Sequence, residues 1–190
     1  MRNNPAYKEI VNLKPDDFDR QEQAARLLVI GFAKHWPRAW PDLQSGLQEV
    51  KESLQADRIN RIAVDKAGEV LGWIGGAPGY YGQAWELHPL VVHPDQQGKG
   101  IGKALLSDFE QRVQERGGIT IYLGTDDEDE MTSLGGVDLY PNVLEHLSKL
   151  KNVKGHPFEF YQAQGYRVVG AIPDANGPGK PDILMAKRVG

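Results

Sequence analysis

The sequence predicts an α/β fold: a single domain over residues 1–190 with a mixed sheet flanked by helices. Three observations carry this. Strand-like apolar segments alternate along the chain with segments of helical period. The stretch VVHPDQQGKGIGKALL (91–106) joins an apolar strand to an amphipathic helix through glycines at every second position. A composition of 40% hydrophobic and 25% charged residues is ordinary for a soluble chain that fills a core.

The elements follow in order. A first strand is expected near Lys8–Leu13. KPDDFDRQEQAARLLVIGFAKHW then reads as a helix started by Pro15 and its acids and broken at Pro37 and Pro41. Leu43, Leu47, Val50 and Leu54 fall on one face of a second helix. RIAVDKAGEVLGWIGGA reads as two strands joined at Lys66–Gly68, and AWELHPLVVH as a third, interrupted by Pro89. Ile101, Leu105, Phe109 and Val113 recur every four residues, so a helix follows the glycine turn and stops at Gly117–Gly118. ITIYLGT is a buried strand. After a long polar segment, HPFEFYQAQGY is a short helix closed by Gly165, and RVVGAI and DILMAKRV pair around PDANGPGKP. Strand, glycine turn, helix and strand should form a right-handed crossover between parallel strands.

Several classes are excluded. Net charge is −4, so no general attraction to nucleic acid or anionic membrane is expected. There is no cysteine, hence no disulfide and no thiol nucleophile. No apolar run approaches the roughly 18 residues of a membrane helix, and MRNNPAYKEI has no signal-peptide core. The expected location is the cytoplasm. His35, His93, His146 and His156 show no ligand spacing, so no metal is assigned.

Gly98, Gly100 and Gly102 stand where a helix offers unpaired N–H groups and a partial positive charge, which suits an anion. The nucleotide P-loop and the dinucleotide pattern both fail, because Lys103 stands where each needs glycine. What remains is Gln97-x-x-Gly100-x-Gly102 after VVHP. Placed between a strand and an amphipathic helix, this resembles the pyrophosphate-binding turn of the GNAT acyltransferase superfamily, and the element order matches as well. WELHPLVV (85–92), GGITIYLGTDD (117–127), HPFEFYQAQGY (156–166) and ANGPGKPDILMAK (175–187) resemble, more narrowly, the aminoglycoside 6'-N-acetyltransferases, a group that includes homodimers. The long insertion at 125–156 fits that group too.

The resemblance implies a GNAT fold, a mostly antiparallel mixed sheet with a splayed parallel strand pair. It implies acetyl-CoA as co-substrate, held by backbone groups of Leu90, Val91 and Val92 and by the turn of Gln97, Gly98, Lys99, Gly100, Ile101, Gly102 and Lys103. Pro89 supports a bulge at the splay, and the Leu90 N–H is the expected donor to the thioester oxygen. An alkylamine has a pKa near 10.4 and must lose a proton before it attacks. Glu86 and His88 share a face of one strand. Glu86 can accept that proton, directly or through water, or hold the cation; His88 can do the same or orient Glu86; a structural pair is the plain alternative. Tyr161 matches the tyrosine that GNAT proteins place near the cofactor sulfur, a contact or a proton donor to the thiolate. With no cysteine to carry an acetyl group, transfer is direct, in a ternary complex.

Between Arg116 and Lys149 there is no lysine or arginine, while TDDEDE (125–130) begins a run of unbalanced acids. One-signed clefts concentrate opposite charge. Asp126 and Asp127, beside the strand end, are the expected contacts to a small polycationic substrate, with Asp182 a further candidate; Glu128–Glu130 read as a solvated loop. Trp36 is noted because this region often roofs the acceptor site in the family. The resulting expectation is acetylation of the aminoglycoside 6'-amine by a homodimer. A GNAT enzyme for a polyamine or peptide amine, and a catalytically silent acetyl-CoA-binding protein, are the alternatives.

Overall fold

Two aspartates begin the first two helices. Asp17 accepts the Arg20 N–H at 3.2 Å ahead of α1 (Phe18–Phe32). Asp42 and Ser45 form a reciprocal capping box ahead of α2 (Leu43–Ser53), with the Ser45 N–H donating at 2.8 Å. α1 turns Ala24, Ala25, Leu27 and Leu28 inward. Gly46 of α2 lets the helices touch, since a Cβ there would lie 2.7 Å from the Ala25 carbonyl oxygen. The computed structural model describes residues 7–190.

The chain falls into two compact units, one running to Ile121 and including Val189–Gly190, the other Tyr122–Arg188. The first holds β1 (Glu9–Asn12), β2 (Ile59–Val64), β3 (Val70–Gly79) and β4 (Ala84–Val92), antiparallel and in that order across the sheet. On one face lie α1 and α2, over a core that includes Leu13, Leu28, Val50, Ile62, Trp73 and Val91. The Trp73 indole donates to Asn60 Oδ1 at 3.0 Å, and Asn60 donates onward to the Ser53 carbonyl, so these two buried side chains are satisfied. On the other face lies α3 (Ile101–Glu115), whose Ile101, Leu105, Phe109 and Val113 are at most 1% exposed. Gly76 admits the Phe109 ring, which a Cβ would meet at 2.3 Å.

β3 and β4 lose register between Ile74 and Gly76: Leu90 pairs with Ile74, but Leu87 pairs with Gly76. β4 therefore carries one extra residue at His88–Pro89, the bulge expected at Pro89. The extra residue re-phases the strand. Leu87 and Leu90, three apart, share the α3 face, while Val91 joins the α1–α2 core.

The second unit contains β5 (Thr120–Asp126, entered from the first unit), α4 (Val143–Ser148), α5 (Phe158–Ala163), β6 (Arg167–Ile172) and β7 (Asp182–Arg188). β7 lies between β5 and β6, antiparallel to β6. α4 lies in the stretch that the sequence marked only as a long polar segment. That segment is anchored by buried Met131, Leu134 and Leu139. It is also tied by His156, 2% exposed, whose Nδ1 accepts the Phe158 N–H at 3.2 Å, leaving Nε2 to donate to the Asp126 carbonyl at 3.1 Å.

Candidate functional site

The glycine turn leaves backbone amides open at the start of α3. Gly98 and Gly100 have φ of 73° and 83°, and a Cβ on either would meet nothing within 4 Å. Glycine is thus required by the backbone, and open space lies over it. The first bond of the α3 ladder runs from the Ala104 N–H to the Gly100 carbonyl at 3.0 Å, so the amides of Ile101, Gly102 and Lys103 lie ahead of the ladder. Gln97 turns back to donate to the Val92 carbonyl at 3.3 Å, pinning the turn to the end of β4. Lys99 reaches the Asp95 carbonyl and Gln96 Oε1, both at 2.9 Å. Gln97 and Lys99 thus shape the turn, and Lys103 is exposed beside it.

Glu86 and His88 are both exposed on β4, on the α1–α2 side. His88 Nε2 lies 3.5 Å from Oε1 of Glu49 on α2, and Trp40 sits tilted against the His88 ring at 5.9 Å between centroids. The hydrogen bond with His88 holds the Glu49 carboxyl below the usual glutamate range, against a burial cost, with help from the Trp40 side chain and the charge of Arg58. Trp36 packs edge-on to Phe32 at 5.7 Å; the tryptophan that reaches the strand is Trp40. Glu49 and Trp40 were not singled out by sequence. A signal for Glu49 existed: it stands three residues after Gly46 and four before Ser53, both buried, so it shares their helix face.

In the second unit, Tyr161 on α5 is 8% exposed and meets the Tyr166 ring edge-on at 5.8 Å. Burial raises its phenol above the ordinary value of 10.0, so it stays protonated. Asp126 accepts from Asn176 Nδ2 at 2.5 Å. The Asp182 carboxylate lies over Gly124, where a Cβ would meet its Oδ2 at 2.3 Å. Gly124 and Asp126, two apart, share one face of β5, so the structure brings Asp126 and Asp182 to the same side. Asp127 does not join them. It has no exposed surface, and its oxygens accept from the Met131 N–H at 2.6 Å and from the Thr132 N–H and hydroxyl at 2.9 and 2.7 Å. A carboxylate so enclosed anchors the 127–132 loop and is not placed to meet a substrate. Among the described residues, no group of three or more His, Asp or Glu could hold a metal ion.

The sequence pattern of the acetyltransferase (GNAT) family matches residues 22–135. The chain belongs to this family. The GNAT fold expected from the glycine turn is the fold of the chain. A solved aminoglycoside 6'-N-acetyltransferase complexed with coenzyme A is 40% identical to this GNAT chain, with a TM-score of 0.87 over 96% of it and 97% of the other. The aminoglycoside 6'-N-acetyltransferase from Enterococcus faecium is 38% identical with a TM-score of 0.84, over 96% of this chain and 97% of that one. Acetyltransferase SG1711 of Sodalis glossinidius is 36% identical over 80 residues, 42% of this chain and 53% of the relative, so the GNAT chain spans about half the length of that curated relative.

Proposed function

We propose that this GNAT protein transfers the acetyl group of acetyl-CoA to the 6'-amine of aminoglycosides, directly and in a ternary complex. The likeness to aminoglycoside 6'-N-acetyltransferases along 96% of the chain carries this reading. In it, the amides from Gly98 to Lys103 hold the diphosphate of acetyl-CoA, which supplies the thioester. Backbone groups of Leu90, Val91 and Val92 align the acyl arm, and the Leu90 N–H stabilises charge growing on the thioester oxygen.

The amine forms its bond to the acetyl carbon as the carbon–sulfur bond breaks. Its excess proton leaves toward the Glu86–His88 face, and Glu86 also holds the cation. Tyr161, kept protonated by burial, donates to the departing thiolate. Asp126 and Asp182 draw the polycationic drug. No helix among the described residues is long and apolar enough to cross a membrane. The working form in this reading is a cytoplasmic homodimer, each chain a single acetyltransferase domain.

Thiol release from acetyl-CoA tests the reading, with kanamycin-type drugs, spermidine and peptides as acceptors. Turnover is expected with the drugs, with acetylation at the 6'-nitrogen by mass spectrometry. Turnover confined to peptides or spermidine overturns the aminoglycoside assignment, and failure of every acceptor to release thiol overturns the enzyme.

A further inference from the structure

The first unit gathers positive charge at a second place, far from the glycine turn. Val92, Val70, Val64 and Glu9 mark the sheet end that feeds the turn, and Asn12 and Ile59 stand at the other end. A cavity of about 280 Å³ opens there, between the exit of β1, the α2–β2 connection and the end of α3. Five basic residues line it, Lys14, Arg58, Arg61, Arg112 and Arg116, and no acidic residue does among the described residues. The chain as a whole carries a charge of −4. At 1.5 Å of rise per residue, the length of α3 sets the cavity about 20 Å from the turn.

The cations arrive from separate elements. Basic side chains at a helix C-terminus answer the helix dipole, which accounts for Arg112 and Arg116. It does not account for Lys14 after β1, Arg58 before β2 or Arg61 within β2. Like charges drawn together repel. Acids outside the lining answer part of this: Asp108 takes Arg61 at 2.6 and 3.1 Å, Glu115 takes Arg112 at 2.8 Å, and the charge of Arg58 acts on Glu49. Exposed Lys14 is in no ion pair among the described residues. Arg112 Nε is buried and has no hydrogen-bond partner among them, an orphan donor in the cavity's own lining. Arg116 is held by donating to the Asp57 carbonyl at 2.8 Å and by lying over the Trp85 ring at 5.4 Å. The arginines are thus fixed in advance, which lowers the cost of binding.

We propose that this cavity binds small molecules that carry two or more linked phosphates. Guanidinium forks match phosphate oxygens. A linked chain brings several negative charges into one small volume, as five cations require, where a simple carboxylate brings one. Free polyphosphate and the tail of a nucleotide share this chemistry. The site does not depend on the acetyl-transfer reading.

Calorimetry with inorganic tripolyphosphate, at physiological ionic strength, tests it. The side chains of Lys14 and Arg58 make no hydrogen bond among the described residues, so they can be changed without loosening the fold. Lys14→Gln combined with Arg58→Gln should weaken binding about tenfold, with an unchanged urea midpoint. Should that midpoint fall, Lys14→Gln alone decides, with a loss of about threefold. Lys99→Gln combined with Lys103→Gln removes the same charge at the glycine turn and should alter the affinity less than twofold. Citrate, a carboxylate trianion, should bind at least about fivefold more weakly than tripolyphosphate. ATP separates the sources: equal affinity assigns free polyphosphate, and tighter ATP binding assigns a nucleotide. No binding at millimolar tripolyphosphate overturns the proposal. So do a loss confined to the turn variant, which moves the phosphates to the turn, and equal losses in both variants, which leave only long-range charge. Citrate bound as tightly as tripolyphosphate overturns the phosphate assignment.

Discussion

The backbone carbonyl of His88 stands where a Cβ on Gly75 would have to go, 2.7 Å from it. The Pro89 ring crowds the same point, at 3.2 Å. Gly75 therefore permits the β4 bulge, and the bulge brings Leu90 to the α3 face while His88 stays with Glu49. Gly75→Ala should force carbonyl and strand apart. Overpacking of this kind costs about 1–3 kcal/mol. Urea unfolding should show that loss, and kcat should fall more than either KM rises. A variant with the parent's stability and turnover would separate the bulge from function.

Gly100 tests the turn without any clash. Its φ is 83°, yet the space where a Cβ would stand is open to 4 Å. Gly100→Ala therefore meets only the left-handed backbone penalty, about 1–2 kcal/mol. If the turn grips the diphosphate of acetyl-CoA, relaxation of that backbone should weaken coenzyme A binding about tenfold in calorimetry, with drug KM unaffected. Unchanged coenzyme A affinity would place the diphosphate elsewhere.

The two neighbouring aspartates should part company. Asp127→Asn keeps the shape but disturbs three donors already committed to a buried carboxylate. Losses of hydrogen bonds to buried charged groups run to about 1.5–3 kcal/mol, so the midpoint of unfolding should drop. Asp126→Asn keeps an acceptor for Asn176 but removes a charge on the open face of β5. It should leave stability nearly unchanged and raise drug KM several-fold, more at low ionic strength, where screening is weak. The opposite pattern would reverse the two roles.

The division between what sequence told and what it hid has a physical basis. Period and punctuation announce elements. Ile101, Leu105, Phe109 and Val113 mark the buried face of α3 because a helix repeats its surroundings every turn. Gly98 and Gly100 marked the turn because only glycine adopts such φ without cost. Side-chain destinations are not periodic. Asp126 and Asp127 are adjacent and chemically identical, yet one lies partly open and the other is sealed, since successive residues at a strand end point to opposite sides. Glu49 was hidden for another reason. It meets His88 across a sequence distance that no local pattern spans. α4 has only six residues, too few for a helical period to show within an acidic segment.

Tyr161 offers the sharpest pH test. Burial raises its phenol above 10.0, whereas the unfolded chain should ionise near that value. The sign follows. Below pH 10 both states hold the proton and stability is unaffected. As pH rises past 10, the unfolded state ionises first, and the native state loses stability until its own raised pKa is reached. Tyr161→Phe removes this drain, so its stability should fall less between pH 9 and pH 11 than the parent's, measured by urea unfolding. The same variant should lower kcat about tenfold or more if the phenol protonates the thiolate, a loss in the range of general acid catalysis. Coenzyme A affinity should change little, because the ring itself is retained. Phe at 161 with unaltered kcat, together with the altered alkaline stability, would leave the phenol a buried core group and pass the leaving-group proton to water.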